Sequence, residues 1–172
     1  MKKLFFAAGL VVAGLAGAQT TFGVTGGLAV FGAKAKVLGK TVTDSQVGGY
    51  AGGFADIYFT ESLHFTPGLN GVFANDAFGL QVPLMMKYNV IPQLNVALGP
   101  QLFFDLGEIP AEFRDYYNRT NIGIAFGAGY DITDNLLAEA RFGIQLNDHI
   151  KSNPADISAK MNVLNVGVGY KF

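Results

Sequence analysis

The last thirteen residues, KMNVLNVGVGYKF, constrain the fold more than any other stretch of the chain. Alternate positions sort cleanly. Leu164, Val166, Val168, Tyr170 and Phe172 form one set, and Met161, Val163, Asn165, Gly167, Gly169 and Lys171 form the other. Successive side chains of a β-strand point to opposite faces. This segment therefore has one apolar face ending in two aromatics and one face that is mostly small or polar. A strand of a water-soluble sandwich can carry the same alternation, so the choice rests on the other segments.

Strand-like segments are predicted at residues 21–32, 47–59, 63–74, 78–88, 94–104, 121–131, 136–147 and 162–172. In the sixth, Ile122, Ile124, Phe126, Ala128 and Tyr130 alternate with Asn121, Gly123, Ala125, Gly127, Gly129 and Asp131. In the seventh, Leu136, Ala138, Ala140, Phe142, Ile144 and Leu146 alternate with Leu137, Glu139, Arg141, Gly143, Gln145 and Asn147. The fourth sets Phe78, Leu80, Val82, Leu84, Met86 and Tyr88 against Gly79, Gln81, Pro83, Met85 and Lys87. One face is always continuous and apolar, and the other holds glycine and the polar groups.

A soluble barrel would turn the apolar face inward and cover the other with charge. Here the second face is rich in glycine and carries few charges: Asp56, Lys87, Asp131, Glu139, Arg141 and Lys171. Glycine suits a crowded interior and is a poor solvent-facing strand residue. The faces therefore predict a transmembrane barrel, with lipid against the apolar set. The expected fold is all-β, an eight-stranded antiparallel up-and-down transmembrane barrel over residues 19–172.

The connections are consistent with this. Gaps after the second, fourth and sixth segments are short: TES, NVIPQ and ITDN. Those after the first, fifth and seventh, residues 33–46, 105–120 and 148–161, are long and charged, and are expected to be loops. The gap after the third, Asn75-Asp76-Ala77, is the short exception. In bacterial outer-membrane barrels the short turns face the periplasm and the long loops face outside. Tyr58, Tyr88, Tyr130 and Tyr170 each sit at or near the close of an even-numbered segment. They form the expected periplasmic half of an aromatic girdle, where an amphipathic ring meets the interface between acyl chains and water. Residues 110–117 (PAEFRDYY) suit one helical turn within a loop.

The N-terminus agrees with export. Lys2 and Lys3 precede an apolar stretch, residues 4–15, and a small-residue site, Ala16-Gly17-Ala18. This pattern predicts a signal peptide over residues 1–18, cleaved before Gln19. The apolar run falls short of the ~20 residues a spanning helix needs. Losing both lysines takes the formal net charge of −1 to −3, which argues against a nucleic-acid partner.

Four short motifs, residues 82–88 (VPLMMKY), 98–101 (LGPQ), 127–130 (GAGY) and 167–172 (GVGYKF), resemble the PorT-like, or OmpA-barrel-like, small outer-membrane β-barrel domains of the porin family. The resemblance covers nearly all of the mature chain. It implies an eight-stranded barrel whose C-terminal aromatics, Tyr170 and Phe172, are read by the outer-membrane assembly machinery. It supplies no catalytic residue.

Catalytic, cofactor and metal chemistry have little to draw on. The chain has no cysteine and two histidines, His64 and His149, both expected at the surface or rim. Neither shows a triad spacing, and zinc sites usually need several Cys or His ligands. No enzyme activity, cofactor or metal is therefore expected. The acidic loop from Asp105 to Asp115 is a weaker candidate for a divalent cation bridging surface lipids.

Glu139 and Arg141 lie two apart on one face, so both point into the barrel. With Lys87 and Gln145 they form a candidate polar network in the lumen. Eight strands leave an interior that side chains can fill. The expected role is therefore a plugged envelope protein, structural or adhesive, acting on extracellular or envelope partners through its long loops. Its partners would include outer-membrane lipids and, during biogenesis, the assembly machinery. Two alternatives remain open at this point: a narrow channel for ions or small solutes, and a secreted lipocalin-like carrier.

Overall fold

The computed structural model describes residues 19–37, 40–75, 77–107, 118–148 and 158–172. The predicted signal peptide, the 110–117 turn and His149 lie outside them, as does residues 108–115 of the acidic loop. Eight strands follow one another: β1 (Thr20–Val37), β2 (Lys40–Tyr58), β3 (Leu63–Ala74), β4 (Ala77–Ile91), β5 (Leu94–Asp105), β6 (Thr120–Asp131), β7 (Leu136–Gln145) and β8 (Ser158–Lys171). Each pairs antiparallel with the next, and β1 pairs with β8, so the sheet closes into a barrel. Closure removes both sheet edges, which would otherwise expose unpaired backbone groups. In the closing seam Val166 lies opposite Leu28, and Tyr170 opposite Val24.

The faces fall as the alternation predicts. Phe22, Leu28, Leu98, Ile122, Phe126, Val166 and Val168 are uncovered by protein on the outside. No Asp, Glu, Lys or Arg falls among the outward positions between Phe22 and Gly32 on β1, or on β3 to β7. Asp56, His64, Gln81, Lys87, Asn165 and Lys171 are buried inside. This is the inside-out arrangement of a membrane barrel. A water-borne carrier, with its apolar faces inward, requires the reverse.

The tight ends use local chemistry. At the β3–β4 turn Asn75 takes a φ of 47°, a left-handed conformation that asparagine tolerates better than most residues. At the β2–β3 turn the Thr60 hydroxyl accepts from the Leu63 amide at 2.9 Å. Thr133 does the same for Leu136 at the β6–β7 turn, also at 2.9 Å.

Two connections differ from expectation: β8 already begins at Ser158, inside the stretch 148–161, and the first connection differs more. Residues 33–37 and 40–46 are not a loop; β1 and β2 continue through them as paired strands as far as Val37 and Lys40. The β-branched residues Thr41, Val42 and Thr43 favour strand, and Lys34, Thr43, Asp44 and Ser45 are exposed. At ~3.3 Å per residue and ~40° tilt, the 18 residues of β1 rise about 45 Å, against an apolar band of ~25 Å. The hairpin thus projects roughly 20 Å beyond the belt. Its outward side chains turn polar there, at Lys34, Thr43 and Ser45.

Candidate functional site: the lumen

Parity sends the odd positions of β1 and β4 to β8, and the even positions of β2 and β3, into the lumen. There they form separate layers. Nearest the short turns, Asp56 of β2 is wholly buried beside His64 and Thr66 of β3 and Lys87 of β4. Register explains the meeting, because His64 lies opposite both Tyr58 and Lys87. The Asp56 carboxylate accepts from His64 Nδ1 at 3.1 Å, from Thr66 Oγ1 at 3.1 Å and from the Lys87 ammonium. On its other side, His64 Nε2 lies 3.3 Å from both the Glu61 carbonyl and Asn89 Nδ2. A second ion pair, Lys171 to Asp131 at 2.8 Å, closes the same end.

One layer further in, Glu139 of β7 accepts from Thr25 Oγ1 at 2.7 Å and from the Tyr50 hydroxyl at 2.9 Å. Arg141 approaches it only to 4.0 Å, and its Nε and Nη2 meet no protein acceptor. A cavity of about 70 Å³, lined by Thr25, Thr66, Asn70, Lys87, Glu139 and Arg141, lies between these layers. It is roomy and polar enough to hold water against such donors.

At mid-height Asn165 Nδ2 donates to Gln81 Oε1 at 2.7 Å. These residues come from β8 and β4, which are opposite walls of an eight-stranded ring. The bond therefore crosses the bore. Tyr50 and Asn70 complete the layer, and none of the four is more than 2% exposed.

Toward the hairpin end the lumen becomes apolar. Ala29, Phe31, Tyr50, Val72, Ala74 and Val163 are buried together, with Phe103 and Met161 against them. Gln145 lies to one side, donating to Asn121 Oδ1 at 2.9 Å and to the Asn147 carbonyl at 2.8 Å.

Four readings of the sequence are corrected here. Glu139, Arg141, Lys87 and Gln145 all face inward but do not form one network; they belong to three layers, with Lys87 on Asp56 and Gln145 on Asn121. His64 is no rim residue: it is 2% exposed and bonded to Asp56. Tyr58 does not share the outward position of Tyr88, Tyr130 and Tyr170, which stand exposed at the turn end; its half-buried ring lies 4.1 Å from that of His64, tilted by 41°. The inward face is also less polar than its glycines suggest, because Phe31, Val72 and Val163 line it. Phe172 packs edge-on against Tyr170 at 5.7 Å. Asp105 caps the Gly107 amide at 2.9 Å. Among the described residues no group of three or more His, Cys, Asp or Glu could hold a metal ion.

No protein-family model matches the chain, and no curated protein matches its sequence. Solved structures do. Neisserial surface protein A is similar at 16% identity and a TM-score of 0.53, over 90% of this chain and 99% of that one. Ail, the attachment invasion locus protein of Yersinia pestis, in complex with the heparin analogue sucrose octasulfate, is similar at 11% identity and a TM-score of 0.51. That match covers 88% of this chain and 99% of Ail. At these identities the likeness is one of fold.

Proposed function

We propose that the chain is an integral outer-membrane protein whose lumen is shut and whose work is done at its outer end, on structural or adhesive partners in or beyond the envelope. The bond between Gln81 and Asn165 carries this reading. A water-filled pore needs opposite walls held apart, and here they are joined at 2.7 Å through their side chains. An ion crossing that layer would have to break the bond and shed its own hydration. The uncharged belt supports placement among membrane lipids, and the projecting β1–β2 hairpin supplies a surface beyond them. The same proposal assigns no catalytic activity, and it places the barrel with the PorT-like domains its motifs resemble. Tyr170 and Phe172 would serve as the signal read during assembly.

Planar-bilayer recording of the refolded barrel tests the shut lumen. No reproducible unitary step is expected from the native chain. Opening the layer with Gln81→Ala and Asn165→Ala together should introduce brief, small steps. Unitary conductance in the native protein, abolished by Arg141→Ala, would refute the plug and establish the narrow channel instead.

A further inference from the structure

The apolar layer at the hairpin end does not fill the space above it. A cavity of about 180 Å³ remains, lined by Phe31, Val72, Ala74, Phe103 and Met161, with Asp44 and Gln46 among the polar groups that complete it. Protein interiors leave few voids larger than a water molecule, because each one forfeits packing contacts. A void walled by apolar side chains stays dry and accepts apolar guests; an engineered one of about 150 Å³ takes up benzene. The floor is closed by Tyr50 and Val72, each at most 2% exposed. Among the described residues the space is therefore a cup closed below and open toward the hairpin end.

Among the described residues, the charged side chains that line the cup are acidic. Asp44 stands at the mouth, Asp105 is held by contacts of its own, and no described lysine or arginine lines the space. Lys34 and Lys160 lie at the same height, but their parity turns them outward and both are exposed.

We propose that this cup is a binding site for a small apolar molecule, about one aromatic ring in size, that is neutral or cationic and enters from the hairpin end. The ring lies against Phe31, Phe103 and Met161, and a polar or positive substituent points toward Asp44 at the mouth. The site rests on the barrel fold and not on the display role proposed above.

The methionines provide the test. Met161 lines the cup, Met85 is buried in the turn-end half, and Met86 faces outward from the belt. The full barrel, labelled with ¹³C-methyl methionine and held in detergent micelles, is titrated with benzylamine and, separately, with benzoate. Benzylamine should shift the Met161 methyl resonance and saturate, leaving Met85 unmoved and Met86 with at most a linear drift from ligand dissolved in the micelle. Benzoate should need at least several-fold higher concentration. Ala74→Leu should occlude the cup and abolish the Met161 response; Ala33→Leu at the mouth is the second occluding variant should the first not fold. Asp44→Asn should narrow the difference between the two ligands. A Met161 response that never saturates, that tracks Met86, or that survives both occluding variants would overturn the site. Equal saturation by benzoate would overturn the charge preference. Bilayer conductance is untouched by either outcome, so the shut lumen stands or falls separately.

Discussion

Val166→Lys is the sharpest test of which face meets lipid. Val166 is 48% exposed on the outside of the barrel, between Leu28 of β1 and Ala140 of β7. It lies four residues beyond Tyr170, which at ~3.3 Å per residue and ~40° tilt is about 10 Å of rise. An apolar band of ~25 Å has its midplane near that depth. A cation there should cost about 2–4 kcal/mol, or roughly 30- to 700-fold in the folding equilibrium at ~1.4 kcal/mol per tenfold. The outward position Thr43, on the projecting part of β2, is the control. Thr43→Lys should change stability by less than about 0.5 kcal/mol, as surface substitutions do. Reversible urea unfolding from lipid vesicles measures both. Asn165→Lys, one residue away, breaks the bond to Gln81 and buries a charge, so it should fail through the lumen instead. Spin labels separate the two faces: the label at 166 should be accessible to lipid-soluble oxygen and that at 165 should not. A Val166→Lys variant as stable as the native chain, or the opposite labelling pattern, would refute the assignment of faces.

Asp56→Ala leaves the Lys87 ammonium buried without its carboxylate and should cost about 3–5 kcal/mol by the same titration. Replacing both residues, Asp56→Leu with Lys87→Met, should recover much of that loss, since an apolar pair leaves no orphaned charge. Gly167→Ala places a Cβ 2.2 Å from the Gly26 carbonyl and 2.5 Å from the Tyr50 hydroxyl. The β1–β8 seam must then open locally, and a drop in the temperature at which the folded gel band is lost should report it. Deleting Phe172 removes a mostly exposed side chain that packs edge-on against Tyr170, and one backbone bond, from the Phe172 amide to the Phe22 carbonyl at 2.9 Å. Unfolding in vesicles should change little, whereas membrane-inserted protein in cells should fall if the terminal aromatics are the assembly signal.

Strand identity and sidedness were legible in the chain because both are local. A period of two fixes which residues share a face, and Val166, Phe126 and Phe142 could be sorted from Asn165, Gly127 and Arg141 without knowing any partner. The scarcity of charge on the glycine-rich face then selected lipid over water. The length of β1 and β2 was less legible, since a charged stretch such as KAKVLGKTVTDSQ reads as coil unless its pairing is known. The lumen depended on register and closure. Asp56 and His64 are eight residues apart, and only the alignment of β2, β3 and β4 puts them with Lys87. Gln81 and Asn165 are 84 apart, and they touch only because an eight-stranded ring sets β4 opposite β8 at a distance two amide side chains can span. Parity predicted which side chains would enter the barrel. Which of them meet depends on strand stagger and barrel radius, and these are properties of the closed sheet that no single strand carries.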